Sequence, residues 1–296
     1  MAGLCIVIIL LLRIVQALFN KRSSIEIKNF AVLIGYNSYK NTISALLGLV
    51  LIIIANKGFR ADWPTLLIAT FSGFSLFFSG FCSIYAMKSG TVSLNSMFST
   101  AGMVIPIIAG VFLFDKKISF LQIVGLGLFF LSAYCLIASS KTVYSNFSYK
   151  TLLLLIGSMI ANGCTMLAQQ MFTMYVPSGD VSVFSFLSFG IIAVLSGVFY
   201  ITSAAVKKEK YENIKLSKAL IICGIVLAVS VFVINQLATI STSLVSPVIL
   251  FTFINGGGTI ISTLVAAVFY REKISKKTVL GIIIGIVSLV IIKMFE

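Results

Sequence analysis

The chain has 296 residues, 59% of them hydrophobic and 10% charged, whereas soluble domains run nearer 45–50% apolar and about 25% charged. No soluble core hides that much apolar surface, so lipid is the expected solvent, with room for about ten spans of roughly 20 residues and none for a separate soluble domain. The net charge of +14 comes from 22 Lys and Arg against 8 Asp and Glu; scattered in short pieces between apolar runs, it suits loops lying on anionic lipid headgroups and argues against nucleic acid as a partner.

Apolar runs divided by charge or turn clusters predict spans over 2–19, 30–55, 64–87, 91–114, 119–138, 151–175, 181–206, 216–238, 241–270 and 277–295. Met1 to Phe19 reads as the first span, not a cleaved leader. No charge precedes the run, and Asn20-Lys21-Arg22 follows it without a small-residue cleavage site. Later separators include Asp62-Trp63-Pro64, Lys88-Ser89-Gly90, Asp115-Lys116-Lys117 and Pro177-Ser178-Gly179-Asp180; the eighth and ninth spans part only at the polar run Thr239 to Ser243. All five cysteines fall inside apolar runs, and with no histidine and no metal-ligand spacing they read as small packing groups. No metal or other cofactor is expected.

Shifting the chain by 156 positions lays Phe114-Asp115-Lys116-Lys117-Ile118-Ser119 on Tyr270-Arg271-Glu272-Lys273-Ile274-Ser275. The same shift lays Ser99-Thr100-Ala101-Gly102 on Asn255-Gly256-Gly257-Gly258, and Gly125 on Gly281. A shared charged turn at a fixed distance from a shared small-residue patch predicts an internal repeat. Its units are residues 1–140 and 148–296, with five spans each. Five is odd, so the second unit must enter the membrane from the opposite face, the inverted arrangement of many secondary transporters.

On these residues the chain resembles the drug/metabolite transporter superfamily, of the EamA type. The resemblance is carried by Ala86-Met87-Lys88, Thr91-Val92-Ser93, the turn Asp115-Lys116-Lys117-Ile118-Ser119 with Gly125, and the turn Arg271-Glu272-Lys273-Ile274-Ser275 with Gly281; Lys40 matches a basic residue early in the second helix. It implies an all-α membrane fold of ten helices in two inverted five-helix repeats, and transport. The first turn has Lys116 where the family has Glu, and Pro106 stands about a turn late.

All eight carboxylates (Glu26, Asp62, Asp115, Asp180, Glu209, Glu212, Glu272, Glu296) fall in loops or at span ends. A proton/cation antiporter of the small multidrug kind needs an acid inside the membrane, so that chemistry is argued against. Two cations do fall within spans, Arg13 and Lys40, and intramembrane charges are functional candidates by default. Tyr36, Asn37, Lys40 and Asn41 share a helical face, which predicts a polar wall. The competing reading is snorkelling to an interface, easier for Arg13 near the end of its span. Among uncharged groups, Asn95, Ser99, Asn162, Gln169, Gln170, Asn235, Gln236 and Asn255 recur within spans. Amides both donate and accept, though many such residues serve only to join helices. The predicted substrate cavity comprises Lys40, Tyr36, Arg13, Asn95, Ser99, Gln169, Asn235 and Asn255.

Most loop Lys and Arg follow odd-numbered spans. The positive-inside rule then puts both termini outside, whereas the resemblance implies both inside; either way they share one side. The expected function is secondary transport across the plasma membrane, most naturally export of a small polar metabolite or amino-acid-like solute by alternating access, with a small polar or anionic solute and the bilayer as partners and homodimerisation left open. Alternatives are a flippase for a lipid-linked or anionic amphiphile and a non-transporting scaffold. Nothing resembles a P-loop, and the spans offer no nucleophile–base pair, so no enzymatic activity is expected.

Overall fold

The structure, a computed structural model, describes residues 2–56, 58–89, 92–114, 119–143, 149–207, 216–271 and 275–294. The repeat's charged turns at 115–118 and 272–274 lie outside these, as do Glu209, Glu212 and Glu296. The described residues form helices and no strand: α1 Ala2–Glu26, α2 Phe30–Ala55, α3 Trp63–Ser89, α4 Val92–Ala101, α5 Val104–Phe114, α6 Phe120–Val143, α7 Tyr149–Tyr175, α8 Val181–Lys207, α9 Lys218–Thr242, α10 Pro247–Tyr270 and α11 Lys276–Met294.

Local chemistry sets several ends. The Asn29 side chain accepts from Val32 N and caps α2, and Ser217 does the same for Leu220 N at α9. Asn56 and Arg271 leave α2 and α10 in the left-handed region, with φ of 49° and 51°. Pro247 opens α10, where its missing N–H costs no helical bond. The first helix outruns its expected end: α1 continues through Lys21-Arg22 to Glu26, with Ser23 and Ser24 hydroxyls bonding back to the carbonyls of Phe19 and Lys21.

The fourth apolar run, expected as one span, is two helices. Pro106 has no N–H for the carbonyl of Gly102, and its ring crowds that carbonyl. The backbone tightens ahead of it: Gly102 N, Met103 N and Ile105 N bond three residues back, to Ser99, Thr100 and Gly102. Asn162 Nδ2 reaches from α7 to the Ser99 carbonyl at 2.7 Å, which helps satisfy the disturbed backbone. Ser262 occupies the corresponding place in α10, which runs unbroken.

The burial pattern is turned outside-in. Phe112 is 80% exposed and Ile54 72%, while Lys40 and Asn41 are 7% and 6% exposed. In water this arrangement would be costly, and in lipid it is the stable one. Hydroxyls along the spans satisfy themselves on their own helices, as Thr70 does on Leu66 O and Thr165 on Ala161 O. Seven helices, α1 to α3 and α7 to α10, are long and apolar enough to cross a membrane, which marks a multi-pass helical membrane protein. The expected ten are therefore met for seven. The broken fourth run and the described apolar part of α6, Phe120–Ser132, are shorter.

Helix packing has a regular exchange pattern. α1 packs on α9 as α7 does on α3; α1 packs on α10 as α7 does on α4 and α5; α2 packs on α9 as α8 does on α3. α2 meets α8, α4 meets α10 and α6 meets α11. The largest apolar cluster among the described residues, including Ile9, Met103, Ile234 and Phe251, joins α1, α9 and α10 beside the α4–α5 break.

Candidate functional site

A cavity of about 170 Å³ opens among α1, α2, α3, α4, α7, α8, α9 and α10. Arg13 enters it from α1. Its Nη1 donates to Gln16 Oε1 at 2.8 Å and its Nη2 to Asn255 Oδ1 at 3.3 Å. Asn255 is itself oriented by α10, its Nδ2 donating to Phe251 O at 2.9 Å, which turns Oδ1 toward the guanidinium. Arg13 Nε is buried without a partner. The helix contact that carries this wall is fixed by Thr100, which shares a hydrogen bond with Thr259 and donates to the Asn255 carbonyl.

Lys40 lines the same cavity from α2. Its ammonium lies beside Gly80 and the Asn37 side chain, where a Cβ on Gly80 would stand 3.8 Å from Nζ and 3.5 Å from Asn37 Oδ1. Among the described residues no acceptor binds Lys40 Nζ, and both amide atoms of Asn37 are buried without partners. No carboxylate is among the described residues that line the cavity.

The rest of the polar lining is neutral and is interleaved with apolar side chains such as Ile84, Phe189 and Phe251. Gln169 Nε2 donates to Asn235 Oδ1 at 2.8 Å, and Asn235 Nδ2 donates to Val231 O, joining α7 to α9. Asn95 Nδ2 donates to Ser83 Oγ at 2.7 Å, leaving Asn95 Oδ1 buried and unpartnered. Ser99 Oγ shares a hydrogen bond with Ser158 Oγ at 3.1 Å.

Of the eight residues predicted to line a cavity, the structure brings together Arg13, Lys40, Asn95, Ser99, Gln169, Asn235 and Asn255. Tyr36 is corrected: it does not line the cavity. Its hydroxyl shares a 2.7 Å hydrogen bond with Ser23 and its ring packs against Gly224. It sits one turn, about 5.4 Å, along α2 from Lys40, where α1 and α9 close over the helix. Gln170 and Gln236 also lie elsewhere. Gln236 joins α9 to Ser182 and Ser185 of α8, and Gln170 is buried with both amide atoms unpartnered. Sequence reasoning missed Gln16, Asn20, Ser79, Ser83, Thr100 and Ser262 as lining residues. Gln16 was findable, since it lies three positions from Arg13 on one helical face; a serine in an apolar helix carries no such signal.

No family model and no curated protein matches the chain. A protein of known crystal structure has the same fold, with a TM-score of 0.74 at 14% identity, over 99% of this chain and 96% of that one.

Proposed function

We propose that this protein is a secondary transporter of a small polar solute, of the EamA type, working in the plasma membrane by alternating access of two inverted five-helix repeats with both termini on one side. The observation that carries the reading is a cavity whose lining includes two cations and several amides, drawn from helices of both sequence halves, inside a bundle whose exterior is apolar. A site at the interface of repeats, beside a discontinuous helix, is how such transporters expose one solute alternately to two sides. The exchange pattern of the packing supports two related halves. The cavity is smaller than the roughly 300–1,000 Å³ that holds drug-sized ligands, which favours a small solute over a lipid-linked one and gives no support to the flippase alternative.

The test is counterflow into liposomes holding the purified protein, with a panel of labelled amino acids, sugars and organic acids. At least one solute is expected to exchange faster than into protein-free liposomes, and Lys40→Ala is expected to abolish that exchange while still folding. No exchange with any of them would leave a scaffold as the better reading.

A further inference from the structure

We propose that the cavity seats a free anionic solute in a fixed direction, its carboxylate or phosphate against Arg13 and Lys40 and its uncharged polar remainder against Gln169 and Asn235. The proposal deepens the transporter reading and takes its biological sense from it, but its chemistry stands on the cavity alone.

The charge distribution is one-sided. Arg13 carries its charge at any physiological pH, and the two bonds of its Nη atoms go to neutral amides. Lys40 has no hydrogen-bonding acceptor among the described residues, and no described lining residue is a carboxylate. Buried charge without a counter-charge is costly, and an anion entering the cavity offsets part of that cost. Guanidinium geometry suits carboxylate and phosphate oxygens in particular.

The second half lacks these cations. The 156-position shift lays Gln169 on Arg13 and Ser196 on Lys40. Gln169 lines the cavity as a neutral amide, and Ser196 bonds to its own helix at Ile192 O. The first half thus contributes two cations to the described lining and the second half none, which gives a bound anion a direction.

The same inventory disfavours cations and zwitterions. Gln16 Oε1 and Asn255 Oδ1 are already turned to Arg13, and Asn235 Oδ1 accepts from Gln169. An ammonium would meet two like charges and no carboxylate among the described lining residues. Asn95 Oδ1 is an unpartnered acceptor, suited to a hydroxyl.

The experiment is thermal protection of the purified protein in detergent at constant chloride ionic strength. Probes are succinate, glycerol 3-phosphate and inorganic phosphate, with glycerol, succinamide, alanine and choline as neutral, zwitterionic and cationic comparisons. The anions are expected to protect and the others not. Arg13→Gln and Lys40→Gln should each weaken anion binding by about tenfold or more, as loss of a charge-assisted hydrogen bond predicts, with Arg13→Lys weakening it less. Gln169→Ala should weaken glycerol 3-phosphate and leave inorganic phosphate, which has no remainder to hold, unchanged.

Equal protection by anions and neutral analogues, or parental anion binding in both Gln variants, overturns the proposal. If Arg13→Gln does not fold, Lys40→Gln decides alone. Equal weakening of both phosphates by Gln169→Ala removes the fixed direction. Displacement of succinate by phosphatidylglycerol would make the anion a lipid headgroup and overturn the free solute. Arg13-dependent anion binding without counterflow leaves the proposal standing and the transporter reading fallen. Alanine counterflow indifferent to Arg13 and Lys40 does the reverse.

Discussion

Arg13 Nη2 donates to Asn255 Oδ1, tying α1 to α10 across 242 positions of sequence. The acceptor is an amide where a carboxylate would neutralise the guanidinium. Asn255→Asp makes that change with almost no change in size. It loses the donation from Nδ2 to Phe251 O, about 1 kcal/mol, and gains an ion pair. Thermal melting is therefore expected to stay near the parent's, while protection by succinate falls. Unchanged succinate protection would show that Arg13 does not need to be free of a counter-charge.

Much of this site could be read before the structure because charge inside an apolar run is conspicuous. Arg13 and Lys40 stood out for their insertion cost, and the shift that paired Ser99 with Asn255 pointed at α4 and α10, which do pack together. What could not be read depends on direction and on neighbours. Lys40 and Tyr36 share a helical face, but only the packing of Ser23 and Gly224 shows that Tyr36 is enclosed. The extension of α1 to Glu26 was hidden because Lys21 and Arg22 look like a loop, although a helix leaving the bilayer keeps its backbone bonds. The α4–α5 break had a visible cause in Pro106; its position at Gly102 follows from the carbonyl four residues earlier.

The corrected place of Tyr36 has its own test. Tyr36→Phe removes one hydroxyl and leaves the ring in its packing. The Ser23 hydroxyl keeps its bond to Phe19 O, so no buried donor is stranded. A loss of about 1 kcal/mol is expected in thermal melting, with anion protection unchanged. A selective loss of anion protection at parental stability would return Tyr36 to the binding site.

Gln170 is 1% exposed, and neither its Nε2 nor its Oε1 has a partner among the described residues. Leaving such a group unsatisfied costs about 1–3 kcal/mol. Methionine has a similar length and adapts to irregular gaps. Gln170→Met is therefore expected to raise the melting temperature, by an amount equivalent to about 1 kcal/mol or more. Destabilisation would mean that the amide has a partner in the membrane, such as an internal water.

Gly102, at the α4–α5 break, and Gly163, in the middle of α7, meet backbone to backbone. A Cβ on Gly163 would overlap the Gly102 carbonyl oxygen, and one on Gly102 would overlap the Met159 carbonyl oxygen. No side chain can move aside to relieve either overlap, so α7 and the break would have to separate. Asn162 would then lose its 2.7 Å bond to the Ser99 carbonyl, leaving that carbonyl only the 3.3 Å bond from Gly102 N. Overpacking alone costs about 1–3 kcal/mol, and loss of that bond adds to it. Gly163→Ala is expected to lower the melting temperature strongly. Gly127→Ala is the control, because its Cβ would meet nothing within 4 Å. It should leave melting unchanged or raise it slightly, since alanine is the better helix former by about 1 kcal/mol. Equal melting of the two variants would mean that α7 and the break are not in close contact in the membrane.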